Sequence, residues 1–388
     1  MSPRNFLILA GATAVSVALA VGAVLSRDVP ITATPTGASL VEGLLDRANE
    51  VRTVRITGPG TAKLTLVSGE GGWRVAEKGN YPAKPAKVRE LELQLANLRL
   101  VEAKTAQADK LPRLELEDPG VEGAKSRLVE LLGADGKPLA SAVIGKTRFG
   151  LYGGGRSGVY VRKPGEPQAW LAAGTLELPS DALDTVDMQV IDLPLSEVAR
   201  VVLDPGGAEI VLRRSEAAGA DSFNVDAAPP EGRQFDTAKV EEVAGMLGAL
   251  SMQDVKPAKE LALPPDARRS RVEALDGLVV DVAVAKLGEG DTAESWVQLS
   301  ASAKEPEPAA AAAPTPAAAP AAPAPAAAPA PAAETAAAGE SSSPKPSAAE
   351  RAAALQARFA GWAFKVPPYL GDRLGANLDG LLAEPGSS

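Results

Sequence analysis

The chain spells one order of structural signals twice, and nothing else in it restricts the fold so strongly. The first pass, VRTVRITGPGTAKLTLVSGEGGWRVAEKG from Val51, gives an alternating apolar strand, a Gly-Pro-Gly turn, a second strand and a third centred on Trp73. The second pass, VARVVLDPGGAEIVLRRSEAAGADSFNVDAA from Val198, repeats that order. Its turn is Asp204-Pro205-Gly206-Gly207, and Phe223 stands where Trp73 stood. Strand side chains alternate between faces, so period-two alternation broken by Gly and Pro marks strands and turns.

Each meander runs into a helical pattern. Pro85 suits a first helical turn, with Val88, Leu91, Leu95 and Leu98 at helical spacing. In the second pass Asp236 is an N-cap, and Val240, Val243, Leu247 and Leu250 form the apolar stripe. Polar approaches ending at Leu116-Glu117-Asp118-Pro119 and Leu263-Pro264-Pro265-Asp266 then lead into paired strands. The hairpin turns are Asp135-Gly136 and Asp276-Gly277. Val159-Tyr160-Val161-Arg162 and Trp296-Val297-Gln298-Leu299 are matching strands further on.

There the parallel breaks. Residues 303–348 are almost wholly Ala, Pro, Glu, Ser and Lys, a composition without large groups to bury, expected to be disordered and rich in polyproline II. Beyond them Trp362-Ala363-Phe364 reads as a strand and Asp372 to Leu382 as a short helix. The first copy holds the same pieces uninterrupted, in Ala169-Trp170-Leu171-Ala172 and Pro179-Ser180-Asp181-Ala182-Leu183. The tail is therefore expected to complete the second copy, the alternative being a free amphipathic tail on a linker. The fold class is α+β, with two tandem modules of twisted antiparallel sheet and covering helix behind an N-terminal transmembrane helix. The expected divisions are residues 1–28 (anchor), 40–192 (first module), 193–302 (second module), 303–348 (insertion) and 349–388 (completing segment).

Arg4 precedes an uncharged run from Phe6 to Leu25, FLILAGATAVSVALAVGAVL, long enough to span a hydrocarbon core of about 30 Å. The basic flank favours a cytoplasmic N-terminus with the bulk of the chain in the periplasm, a single-pass inner-membrane arrangement. A cleaved signal peptide ending at Ala18-Leu19-Ala20 is the competing reading, although the apolar run continues past that site. The chain has no cysteine and no histidine, which excludes disulfides, thiolate metal sites, Ser-His-Asp triads and histidine-ligated metals. Its formal net charge of -9 argues against nucleic acid as a partner.

This order of elements resembles the bacterial domain-of-unknown-function family 4340. The matching features are the anchor, the strand Gly72-Trp73-Arg74-Val75, the Val88 to Leu98 helix and the Leu116 to Pro119 approach. The hairpin closing on Ile144-Gly145-Lys146, the Val159-Tyr160-Val161 strand and the closing Gly361-Trp362-Ala363-Phe364-x-x-Pro367 also fit. The resemblance covers most of residues 40–300 and the tail. It implies a membrane-anchored envelope protein found beside ABC-type transporters of the gliding-motility auxiliary class, with no established activity. The long Ala/Pro insertion departs from the family pattern.

Two glycine patterns suggest nucleotide binding and fail on context. Gly145-Lys146-Thr147 looks like the end of a phosphate-binding loop, but Ala140 stands where its first glycine belongs, and no helix follows. Gly153-x-Gly155-x-x-Gly158 runs into the strand Val159-Tyr160-Val161, whereas a dinucleotide fingerprint must open a helix. A glycine-rich loop between strands is the expectation, with no nucleotide and no other cofactor. Glu115, Glu117 and Asp118 form a carboxylate cluster without a partner acid or a calcium-loop pattern, read as a solvated loop. Trp73, Trp170, Phe223, Trp296 and Trp362 fall at strand centres, as core anchors rather than sugar-stacking faces. Between Val51 and Arg113, twelve Lys/Arg stand against six Asp/Glu, a net +6 that could face anionic lipid or glycan. No catalytic, cofactor or metal residue is nominated. The expected function is a non-enzymatic periplasmic accessory or scaffold protein of an envelope complex, with a glycan- or lipid-binding module as the alternative.

Overall fold

The computed structural model describes residues 37–59, 62–151, 156–204, 209–215, 222–304 and 346–383. The expected anchor Phe6 to Leu25 and most of the Ala/Pro insertion lie outside the described residues. Among the described residues no helix is long and apolar enough to cross a membrane. The chain divides into two units, one holding Pro85–Leu178 and the residues up to Glu70, the other Gly71–Lys84 and the residues from Pro179.

The first unit is α+β and antiparallel. It begins with β1 (Thr53–Thr57) and β2 (Lys63–Gly69). The next two strands, β3 (Gly72–Val75) and β4 (Tyr81–Pro82), belong to the second unit. Helix α1 (Pro85–Asn97) follows, then β5 (Arg99–Thr105), β6 (Arg127–Leu132), β7 (Pro138–Leu151), β8 (Arg156–Arg162) and β9 (Ala169–Ala173). Strands of this unit run in the order β2-β1-β6-β7-β8-β9-β5. Register is fixed by side-chain parity: Val54 faces Leu131 and Ile56 faces Val129, so all four point to one buried face. Val88, Leu91 and Leu95 of the expected stripe are buried on the helix, while Leu98, also buried, follows its end at Asn97.

Besides β3 and β4, the second unit holds the small pair of β10 (Gln189–Ile191) and β14 (Leu250–Ser251). Its main strands are β11 (Val198–Asp204), β12 (Ile210–Arg214), β13 (Phe223–Val225), β15 (Asp254–Pro257), β16 (Arg268–Ala274), β17 (Leu278–Leu287), β18 (Glu294–Ala303) and β19 (Trp362–Val366). Three helices accompany them: α2 (Thr237–Ala244), α3 (Ala348–Phe359) and α4 (Pro368–Leu374). The eight strands are ordered β13-β12-β11-β16-β17-β18-β19-β15. From β12 to β15 this is the order of the first unit with ten added to every strand number. Asp236 caps α2 by accepting from the Ala238 and Lys239 N–H groups.

Position β19 is filled from the far side of the Ala/Pro stretch. It pairs with β18 (Val297 opposite Phe364) and with β15 (Val255 opposite Phe364). Phe364 is fully buried, whereas Trp362 is half-buried and meets the Tyr81 ring edge-on at 4.9 Å. Both ends of the stretch come to one place, the Asp276-Gly277 turn. Lys304 N–H donates to the Gly277 carbonyl at 2.8 Å, and the Ala348 methyl lies 4.0 Å from where a Gly277 side chain would begin.

Several elements differ from the sequence reading. Helix α2 ends at Ala244, so Leu247 and Leu250 of its expected stripe lie beyond it, and Leu250 is in β14. Strands β5, β10 and β15 were not expected as strands. Helix α3 was not anticipated, although Ser347-Ala-Ala-Glu350 is a capping-box signature and forms one. The helix expected over Asp372 to Leu382 starts earlier, because Pro368 is preorganised for a first turn, and it stops before Gly375. Residues 71–84, read as part of the first module, pack within the second unit. Lys78 Nζ lies 2.6 Å from Asp254 Oδ1, and a side chain on Gly79 would run into the Pro257 ring.

Candidate functional site

The outer face of the second sheet carries a concavity of about 600 Å³. It is built by strand alternation. On β16, Ser270, Val272 and Ala274 turn inward, which sends Arg269, Arg271 and Glu273 outward beside Arg200 of β11 and Asp281 of β17. Directly opposite residues pair: Arg271 Nε donates to Asp281 Oδ1 at 2.7 Å, and Arg200 Nη1 to Glu273 Oε1 at 3.3 Å. The Asp281 hydrogen bond, then its charge, hold the Arg271 guanidinium more firmly protonated than usual. Three arginines (200, 269 and 271) face three carboxylates (Glu209, Glu273 and Asp281). The cross-strand pairs Arg200–Glu273 and Arg271–Asp281 stabilise sheet register.

The glycine motifs have structural explanations. Gly145 lies inside β7, where a Cβ would run into the Leu114 carbonyl oxygen and sit 3.0 Å from that of Glu115. Close approach of two backbones demands the glycine. Lys146, Thr147 and Arg148 continue β7 and are all exposed, and Gly158 pairs with Arg148 from β8. A strand therefore stands where a phosphate loop needs a helix N-terminus. Gly153 and Gly155 lie outside the described residues.

Arg162 explains the acidic segment. Only 3% exposed, it donates from Nε to the Leu116 carbonyl at 3.2 Å, from Nη1 to the Glu166 carbonyl at 3.2 Å and from Nη2 to Asp118 Oδ1 at 2.5 Å. Glu115 sits in the left-handed region at φ 59°, ending a 3₁₀ turn. The three acids thus belong to a loop clamped by one guanidinium, and Glu115, Glu117 and Asp118 do not converge on a common point. Among the described residues no group of three or more His, Cys, Asp or Glu is placed to hold a metal. Sequence reasoning missed Arg162, although it shares a strand face with Tyr160, which packs on Leu111, Leu116 and Leu171. A cation in phase with a core position is the signal.

Trp170, Phe223 and Trp296 are buried at 8%, 4% and 1% exposure, while Trp73 is half-buried. Trp296 donates from its indole to Glu294 Oε2 at 3.0 Å. Lys365, through its hydrogen bond, holds the Glu294 carboxyl below the usual range, and Trp296 adds to the effect. Further charges fasten the C-terminal segment. Arg351 of α3 pairs with Glu197 at 2.8 Å and with Asp276; Arg358 pairs with Asp187 at 2.6 Å. Burial pushes Asp187 up, but the Arg358 hydrogen bond and charge outweigh it and hold the carboxyl low. Asp276 is likewise pushed up by burial and brought below its ordinary value by the Leu278 N–H and by Arg351.

A family model described as a domain of unknown function (DUF4340) matches residues 73–267. No curated protein and no solved structure matches the chain.

Proposed function

The chain belongs to the DUF4340 family, and on that premise we propose that it is a membrane-anchored periplasmic accessory or scaffold protein of a cell-envelope complex, attached to an ABC-type transporter. The observation that carries this reading is how the molecule uses its ionisable groups. Arg162, Arg351, Arg358 and Lys365 clamp backbone and tail, and Arg200 and Arg271 tie adjacent strands. Charges committed to holding a shape suit a protein that presents surfaces to partners. Catalysis instead needs titratable groups converging where a substrate can reach them. The apolar run from Phe6 to Leu25 supplies the membrane attachment.

The test is in vivo photocrosslinking of the full-length protein from exposed strand positions, followed by purification from membranes. Recovery of a transporter subunit in near-equal amount supports the proposal. Crosslinks confined to lipid or glycan would favour a ligand-binding module instead. Mature protein beginning at Val21, or released from membranes by carbonate, would remove the anchor from the reading.

A further inference from the structure

We propose that the outer part of β7, Lys146–Phe149, is a membrane-contacting tip that inserts Phe149 into an anionic phospholipid surface, with Lys146 and Arg148 on the headgroups. The proposal takes from the preceding section only the premise that a bilayer lies near the chain. Its basis is the way the β7–β8 hairpin outgrows its sheet. Strand β6 accompanies β7 only as far as the pair Arg127–Ile144, so Gly145–Leu151 continues with β8 as its sole partner among the described residues. In the second unit, β16 follows β17 to Val284, leaving only Ala285–Leu287 beyond it. The first unit has thus lengthened one arm of a pattern it otherwise shares.

The extra length carries a distinct chemistry. Phe149 is 80% exposed, the most exposed large apolar side chain among the described residues, and Lys146 and Arg148 beside it are exposed too. No acidic residue occurs between Asp135 and Glu166, while six Lys or Arg do. The corresponding turn of the second copy, Gly288-Glu289-Gly290-Asp291, is acidic, and Lys286 before it is paired with Asp372 at 2.6 Å. An exposed aromatic ring flanked by unopposed cations matches the boundary between acyl chains and anionic headgroups, where each part meets its complement.

The chain's lack of cysteine allows a direct test. Thr147→Cys places a single thiol on the tip, and Lys137→Cys places one at the opposite end of β7; each is labelled with an environment-sensitive fluorophore. Full-length protein is reconstituted into phosphatidylcholine vesicles with and without phosphatidylglycerol. The tip label is expected to shift to the blue only with phosphatidylglycerol, and the Lys137 label in neither. Each cation contributes about fivefold near an anionic leaflet, so Lys146→Gln with Arg148→Gln should lower the bound-to-free ratio about 25-fold. Phe149→Ser should weaken it further at unchanged melting temperature. Equal emission from the two vesicle types, or a shift seen only on adding a membrane protein, overturns the proposal. Protein that fails to float with vesicles contradicts the anchor alone; the same label then reports binding of the tip from solution.

Discussion

Arg162 shows how one side chain can decide a loop. Its guanidinium serves two backbone carbonyls and one carboxylate, a forked demand that neither an apolar residue nor a lysine meets. Arg162→Met should therefore destabilise the first unit by about 2–3 kcal/mol, since buried carbonyls lose their donors, with Arg162→Lys recovering only part in urea unfolding. Glu92, nearly buried on α1, behaves oppositely. Burial raises its carboxyl above the ordinary value, with Arg89 opposing. Its contribution to stability is full below the unfolded carboxylate range and is lost as pH rises through the raised value. Glu92→Gln should consequently melt higher than wild type at neutral pH and lose that advantage in acid. A melting temperature lower than wild type at neutral pH would contradict the burial argument.

Among the elements, α3 and β19 are fastened by ion pairs. Asp187, Asp276 and Glu294 have lowered folded values, so their stabilisation is complete above the unfolded carboxylate range and fades as pH falls through those values. The second unit should lose melting temperature below about pH 4. In the pair Arg351→Met and Arg358→Met the neutral-pH value should drop and the acid slope flatten. Burial ranks the aromatic residues of this region. Phe364→Ala should cost roughly 3–5 kcal/mol, and the half-buried Trp362→Ala less, as measured by chemical denaturation.

For the whole molecule, the meeting of Lys304 and Ala348 at the Gly277 turn makes a specific demand on the Ala/Pro stretch. Loop closure entropy grows only as ~(3/2)RT ln n, so replacing residues 307–338 by a brief Gly/Ser loop should leave stability nearly unchanged. Truncation after Lys304 is different, because it removes β19 from between β18 and β15 and strips α3 from its partners. Calorimetry of the truncated chain should show the second unit melting early while a transition of the first persists. A melt indistinguishable from full length would mean that the paired β19 contributes nothing.

The main meander and hairpin strands, the first turns of α1 and α2 and the repetition of the pattern were legible in the sequence. They rest on local period and turn chemistry, which a linear string carries in full. Strands β5, β10, β14 and β15 were not legible, and Leu250, read on the α2 stripe, lies in β14. Capping of α3 was equally local and equally readable from Ser347 and Glu350. Only the folded chain could decide that Gly145 yields to the Leu114 carbonyl, that Arg162 reaches back to Leu116, or that Tyr81 packs on Trp362. Each of these joins residues far apart in sequence. Alternation states which face a side chain takes but not what will stand against it; that is settled when the strands find their neighbours and the backbones close to contact.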